Sequence, residues 1–128
     1  MKKNHVYSKL YYHVIWKTKN KQPIIMPEFK DDLYHYIGQI VKTKGWHLIA
    51  IGGIHDHIHI LVQMEPQNTI SDLVCKIKSN SSRLIKTQFM ADFAWQEGYG
   101  VFSVDRHSIK RIKNYILNQE QHHNVKRN

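Results

Sequence analysis

The sequence predicts an α+β chain of the ferredoxin-like type, a βαββαβ sandwich followed by one more helix. Three observations lead there. Apolar spacing switches along the chain between a period of two and a period near 3.6. Pro27 and Gly45 bracket the first helical stretch. Thr69 and Asp72 form a Thr-x-x-Asp capping box at the start of the second. The resulting order, β-α-β-β-α-β-α, begins with the split βαβ pattern.

Each element has its own signal. Over 6–16, Leu10, Tyr12, Val14 and Trp16 alternate with Lys9, Tyr11, His13 and Ile15, as in a strand. Lys17, Lys19 and Lys21 follow on a polar connection ending near Pro23. Phe29, Leu33, Ile37, Ile40 and Val41 then recur at helical spacing. Trp46 to Ile51 form an apolar run, which Gly52 and Gly53 are expected to break before a second run from His57 to Met64, giving a hairpin. The second helix buries Ile70, Leu73, Val74, Ile77, Leu84, Ile85 and Phe89 and turns Lys76, Lys78, Asn80, Ser82, Arg83 and Lys86 outward. Trp95 to Gly98 read as loop and Tyr99 to Val104 as a last short strand. The final helix is expected from about Asp105–His107 to about His122.

The totals narrow the function. At 128 residues the chain fits a single domain over 1–128, within the ~100–200 residues usual for one. It is too small to enclose a large cofactor, so an open groove is expected. The formal net charge is +9, and the basic residues are interleaved with apolar ones rather than gathered in a tail. That points to phosphate backbones or other anionic partners. One cysteine, Cys75, allows no intrachain disulfide, which fits a reducing, cytoplasmic setting. No apolar leader stretch and no run of 18 apolar residues are present, so neither a secretory signal nor a membrane span is expected.

Two small constellations carry chemistry. His57-Ile58-His59 lies within a strand pattern, so both imidazoles face one way while Ile58, Ile60 and Val62 face the core. Two neutral imidazoles on one rigid face make half a site for a divalent cation. With ten histidines in the chain, such a pair arises about once by chance. The second constellation is Tyr115 and Gln119, four residues apart and hence on one helical face with Ile112 and Ile116. An isolated pair of that kind reads as a core tyrosine beside a polar rim.

In combination, these segments resemble a known family. Asp56-His57-Ile58-His59-Ile60-Leu61 is similar to the histidine–hydrophobic–histidine strand of HUH enzymes. Tyr115-Ile116-Leu117-Asn118-Gln119 is similar to the nucleophile helix of single-tyrosine HUH transposases of the IS-two-hundred/six-hundred-five group, including those associated with repetitive palindromic DNA. Tyr11-Tyr12-His13-Val14-Ile15-Trp16-Lys17 resembles their first strand, and Trp95-Gln96-Glu97-Gly98-Tyr99-Gly100 the stretch before their last.

The resemblance implies an antiparallel sheet and a metal-dependent DNA strand transferase. Tyr115 would be the nucleophile, forming a 5′-phosphotyrosine and freeing a 3′-hydroxyl. His57, His59 and Gln119 would hold Mg²⁺ or Mn²⁺. The substrate would be single-stranded DNA bearing hairpins, and the enzyme a homodimer whose tyrosine helix acts at its own or its partner's site. Lys17, Lys19, Lys21, Lys78 and Arg83 are the candidates for phosphate contacts. His55, His122 and His123 are further imidazoles near the same segments. Tyr7, Tyr11 and Trp95 could stack on bases, although buried core suits each of them better.

One alternative shares this chemistry and two differ in class. A replication or relaxase nickase, or a domesticated copy, would use the same chemistry for another purpose. A non-catalytic single-strand binder of the RRM type would carry aromatic residues on its central strands; here the strand carries histidines. A metal-binding or regulatory domain without nucleic acid leaves the +9 charge unexplained.

Overall fold

The computed structural model describes residues 7–119. Its elements are β1 (Leu10–Lys17), α1 (Pro27–Thr43), β2 (His47–Ile54), β3 (His57–Met64), α2 (Ile70–Gln88), β4 (Gly100–Val104) and α3 (Ile109–Leu117). Short 3₁₀ turns at Lys19–Lys21 and Arg106–Ser108 follow β1 and precede α3. The sheet has four strands in the order β2-β3-β1-β4, and every neighbouring pair is antiparallel. This is the ferredoxin-like arrangement expected from the element order.

The two faces of the sheet have different covers. Val14 and Trp16 of β1 and Ile58, Ile60, Val62 and Met64 of β3 pack with Phe29, Leu33 and Ile37 of α1 and with Leu73, Val74, Ile77 and Ile85 of α2. That cluster is the main core. On the other face, Ile116 of α3 packs with Ala50 and Leu61. Strand parity follows: His57, His59 and Leu61 share the α3 face, and the residues between them face α1 and α2.

The helix ends obey their signals. Pro27 occupies the first turn of α1, and Gly45 lies just past its end with φ of +81°, a left-handed conformation that suits glycine. Thr69 caps α2, its hydroxyl accepting the Asp72 N–H at 3.1 Å. Phe89 departs from the expected buried stripe. It lies just past the helix, exposed, and its ring stacks on Phe29 with centroids 5.1 Å apart.

The glycine pair is the main correction. Gly52 and Gly53 do not end the strand; β2 runs through both to Ile54, and His55-Asp56 make the turn. Close packing explains both glycines. A Cβ on Gly52 would lie 2.1 Å from the Ile116 carbonyl oxygen, and one on Gly53 would lie 2.2 Å from the His57 carbonyl oxygen. Gly52 therefore lets α3 seat directly on the strand. The first and last strands begin later than expected, at Leu10 and Gly100. The expected continuation of the final helix to His122 lies outside the described residues, as do His122 and His123.

Candidate tyrosine–histidine site

The site forms where α3 crosses β3 beside β1. Seating Ile116 on Gly52 fixes the roll of α3, so Tyr115 and Gln119 turn toward the β3 histidines. Tyr115 is 38% exposed and Gln119 is 1% exposed. The tyrosine is therefore a surface group, not core. Its ring meets that of His59 edge-on, with centroids 5.8 Å apart. The rings of His57 and His59 are 5.0 Å apart.

The hydrogen bonds orient these groups. His57 Nδ1 lies 2.8 Å from Asp56 Oδ1. With its Nδ1–H on that carboxylate, a neutral His57 presents Nε2 as a lone pair. That atom is 3.5 Å from Gln119 Oε1. Gln119 Nε2 donates to the Tyr115 carbonyl at 3.3 Å, which keeps the amide oxygen turned to His57. In that tautomer the contact sets two acceptor atoms side by side; with the proton on Nε2 instead, His57 donates to the amide oxygen. His59 Nδ1 lies 2.8 Å from His13 Nε2, so that bond engages Nδ1 and not Nε2 of His59. Burial pushes the His13 imidazole below its usual pKa, which favours its neutral form.

This donor set fits a divalent cation. Two imidazoles with ring centroids 5.0 Å apart and an amide oxygen 3.5 Å from one of them are donor types that a divalent cation accepts. Among the described residues, no three of His, Cys, Asp or Glu stand together as a metal cage; the third donor here is an amide. His57, His59 and Tyr115 line an open cleft of about 390 Å³ together with Lys17 and Lys21.

The other predicted residues divide. Lys17 is paired with His57 across the β1–β3 ladder, at the mouth of the cleft. Lys19 lines a neighbouring cleft with Trp95 and Gln96. Lys78 is committed to protein: its Nζ donates to the carbonyls of Gln96 at 2.6 Å and Gly98 at 2.7 Å. Burial lowers the Lys78 pKa, with Glu97 opposing. Arg83 lies on α2, across the sheet from the histidines, and bonds Asn80 at 2.5 Å. His55 sits at the turn, 4.0 Å from Asp56. Trp95 packs edge-on against Trp16 and Phe93, and Tyr7 is open to solvent.

Sequence reasoning gave no site role to His13 or Asp56. His13 lies in the quoted first-strand segment, at the parity of Ile15 and Lys17. Only the pairing of β1 with β3 reveals that it meets His59. Asp56 directly precedes His57 and could have been read as its partner.

Fold and site together define a class: a small sheet domain presenting a helix-borne tyrosine over paired histidines. The family model described as "Transposase IS200 like" matches residues 6–119, and the chain belongs to that family. It is similar to the ISDra2 transposase TnpA of Deinococcus radiodurans, 28% identical over 127 residues, covering 93% of this chain and 91% of that one. The transposase for insertion sequence element IS200 of Salmonella typhimurium is 24% identical over 116 residues, covering 84% and 75%. Among solved structures, a D. radiodurans R1 protein described as a transposase superposes with a TM-score of 0.75 at 30% identity, covering 93% of this chain and 97% of the other. A REP-associated tyrosine transposase bound to a REP hairpin shares the fold, with a TM-score of 0.67 at 14% identity, covering 91% and 70%. No helix among the described residues is long and apolar enough to cross a membrane.

Proposed function

We propose that this transposase cleaves and rejoins single-stranded DNA at hairpin-bearing ends, with Tyr115 as nucleophile. The observation that carries the reading is the exposed Tyr115 ring on α3 set against His59, with a buried Gln119 two residues past the end of that helix and its amide oxygen 3.5 Å from His57.

The chemistry follows from the residues. Tyr115 Oη bonds to the scissile phosphorus as the P–O3′ bond breaks. The phenol loses its proton and the departing 3′-oxygen gains one. The strand is left as a 5′-phosphotyrosine and a 3′-hydroxyl, and attack by a 3′-hydroxyl on that link reverses the step. The phosphoester is conserved throughout, so no nucleotide hydrolysis is needed. His57, His59 and Gln119 would hold Mn²⁺ or Mg²⁺. A divalent cation there supplies Lewis acidity toward the scissile phosphate. Because all three donors are neutral, they leave the cation's charge undiminished. Imidazole donors suit Mn²⁺ better than Mg²⁺.

Lys17 and Lys21 line the cleft and neutralise phosphates of the bound strand. Lys19 extends that path. Lys78 contributes through the loop it holds, and Arg83 contacts only DNA that wraps past the helical layer. A hairpin substrate is supported by the REP hairpin on the structural relative, and a homodimer belongs to the same reading.

The test is a hairpin oligonucleotide incubated with Mn²⁺ and run on a denaturing gel that keeps protein–DNA adducts. A metal-dependent adduct is expected from the wild type, and Tyr115→Phe should bind the DNA without forming it. Equal behaviour of the two proteins would point to a binding module instead.

A further inference from the structure

A second cleft opens beside the tyrosine–histidine groove. It has a volume of about 510 Å³ and is lined by Ile15, Lys17, Tyr99, Phe102 and the 96–98 loop. Ile15 and Lys17 also line the groove that holds His57, His59 and Tyr115, so the two adjoin. Its walls are aromatic and open: Tyr99 is 42% exposed and Phe102 is 59% exposed. Phe102 pairs with His13 across the β1–β4 ladder, which sets its ring on the catalytic face. Gly100 clears the floor, since a Cβ there would lie 3.0 Å from Ile15 Cγ2.

The far wall has no helix or strand, yet it is pinned from both sides. Lys78 Nζ binds the Gln96 and Gly98 carbonyls. The Gln96 N–H donates to the Lys17 carbonyl at 2.8 Å. The Gln96 side-chain oxygen accepts the Asn20 N–H at 2.8 Å. A half-buried lysine spent on two carbonyls makes a preformed wall, the kind of preorganisation that lowers the ordering cost of binding.

We propose that this cleft receives one unpaired nucleobase of the strand whose phosphate lies at Tyr115, stacked between Tyr99 and Phe102. This rests on the function proposed above. An apolar slot with exposed rings takes the π-face of a base. Lys17, at the junction of the two clefts, suits the intervening phosphate. The cleft thus selects which position in the unpaired flank is cut, while the groove performs the cutting.

The experiment walks an abasic site through the unpaired flank of a hairpin oligonucleotide, using the full chain with Mn²⁺. Binding and adduct formation are read at each step. One position is expected to be sensitive, losing roughly five- to a hundredfold in affinity. Tyr99→Ala with Phe102→Ala should abolish that positional penalty while retaining the wild-type melting profile. Lys78→Met, which frees the loop but keeps both rings, should blunt it. Uniform sensitivity along the flank, or a penalty that survives the double substitution, would overturn the proposal. Positional uniformity with a normal adduct removes only the base cleft. Loss of all adduct in the wild type removes the nuclease reading and this proposal with it.

Discussion

His13 Nε2 and His59 Nδ1 are 2.8 Å apart, joining β1 to β3 through an imidazole–imidazole hydrogen bond. One nitrogen must donate and the other accept. If His59 uses Nε2 as a ligand, its Nδ1–H donates and His13 accepts. The bond therefore fixes both the tautomer and the ring orientation of His59.

Removing that acceptor should weaken the metal site. His13→Phe is expected to lower Mn²⁺ affinity by about 10–100-fold, measured by calorimetric titration of the DNA-free protein. His13→Gln, which keeps an acceptor, should recover much of the loss. Hairpin binding in chelator should not change in either. Wild-type Mn²⁺ affinity in His13→Phe would show that the bond is only structural.

The seat of α3 on β2 yields a second prediction. Gly52→Ala places a Cβ against the Ile116 carbonyl, and overpacking of this kind costs about 1–3 kcal/mol. Thermal or urea denaturation should register the loss, and adduct formation should fall with it as Tyr115 is displaced. An unchanged melt would mean that α3 shifts freely.

The same seat docks Tyr115 beside histidines of its own chain. Mixing Tyr115→Phe with His57→Ala protein should accordingly leave adduct formation absent. Recovery of activity in the mixture would mean that subunits exchange their tyrosine helices.

Much of this was legible in the sequence. The period-two and period-3.6 stretches, the Pro27 start and the Thr69 cap give the element order, because each is a local signal. The facing of His57 and His59 follows from strand parity alone. The role of Gly52 is hidden in the sequence because a glycine serving close approach looks, in one dimension, like a glycine serving a turn. His13 escaped notice because its partner lies 46 positions away, and only strand register joins them. Lys78 looks like any outward lysine of an amphipathic helix; its two carbonyl partners come from a loop whose path no periodicity encodes.

The basic residues give a salt-dependent prediction. Each of Lys17→Gln and Lys21→Gln should reduce the slope of log affinity against log salt for single-stranded DNA by about 0.7. Arg83→Gln, across the sheet, should change it far less. Equal reductions for all three would place DNA on both faces of the domain.

In the proposed reaction Tyr115 itself becomes bonded to DNA. The direct measurement is tandem mass spectrometry of the proteolysed covalent adduct formed on a hairpin oligonucleotide with Mn²⁺. A nucleotide mass is expected on the peptide containing Tyr115, localised to that side chain. A strand cut without any protein-linked product, or an adduct on another residue, would contradict it.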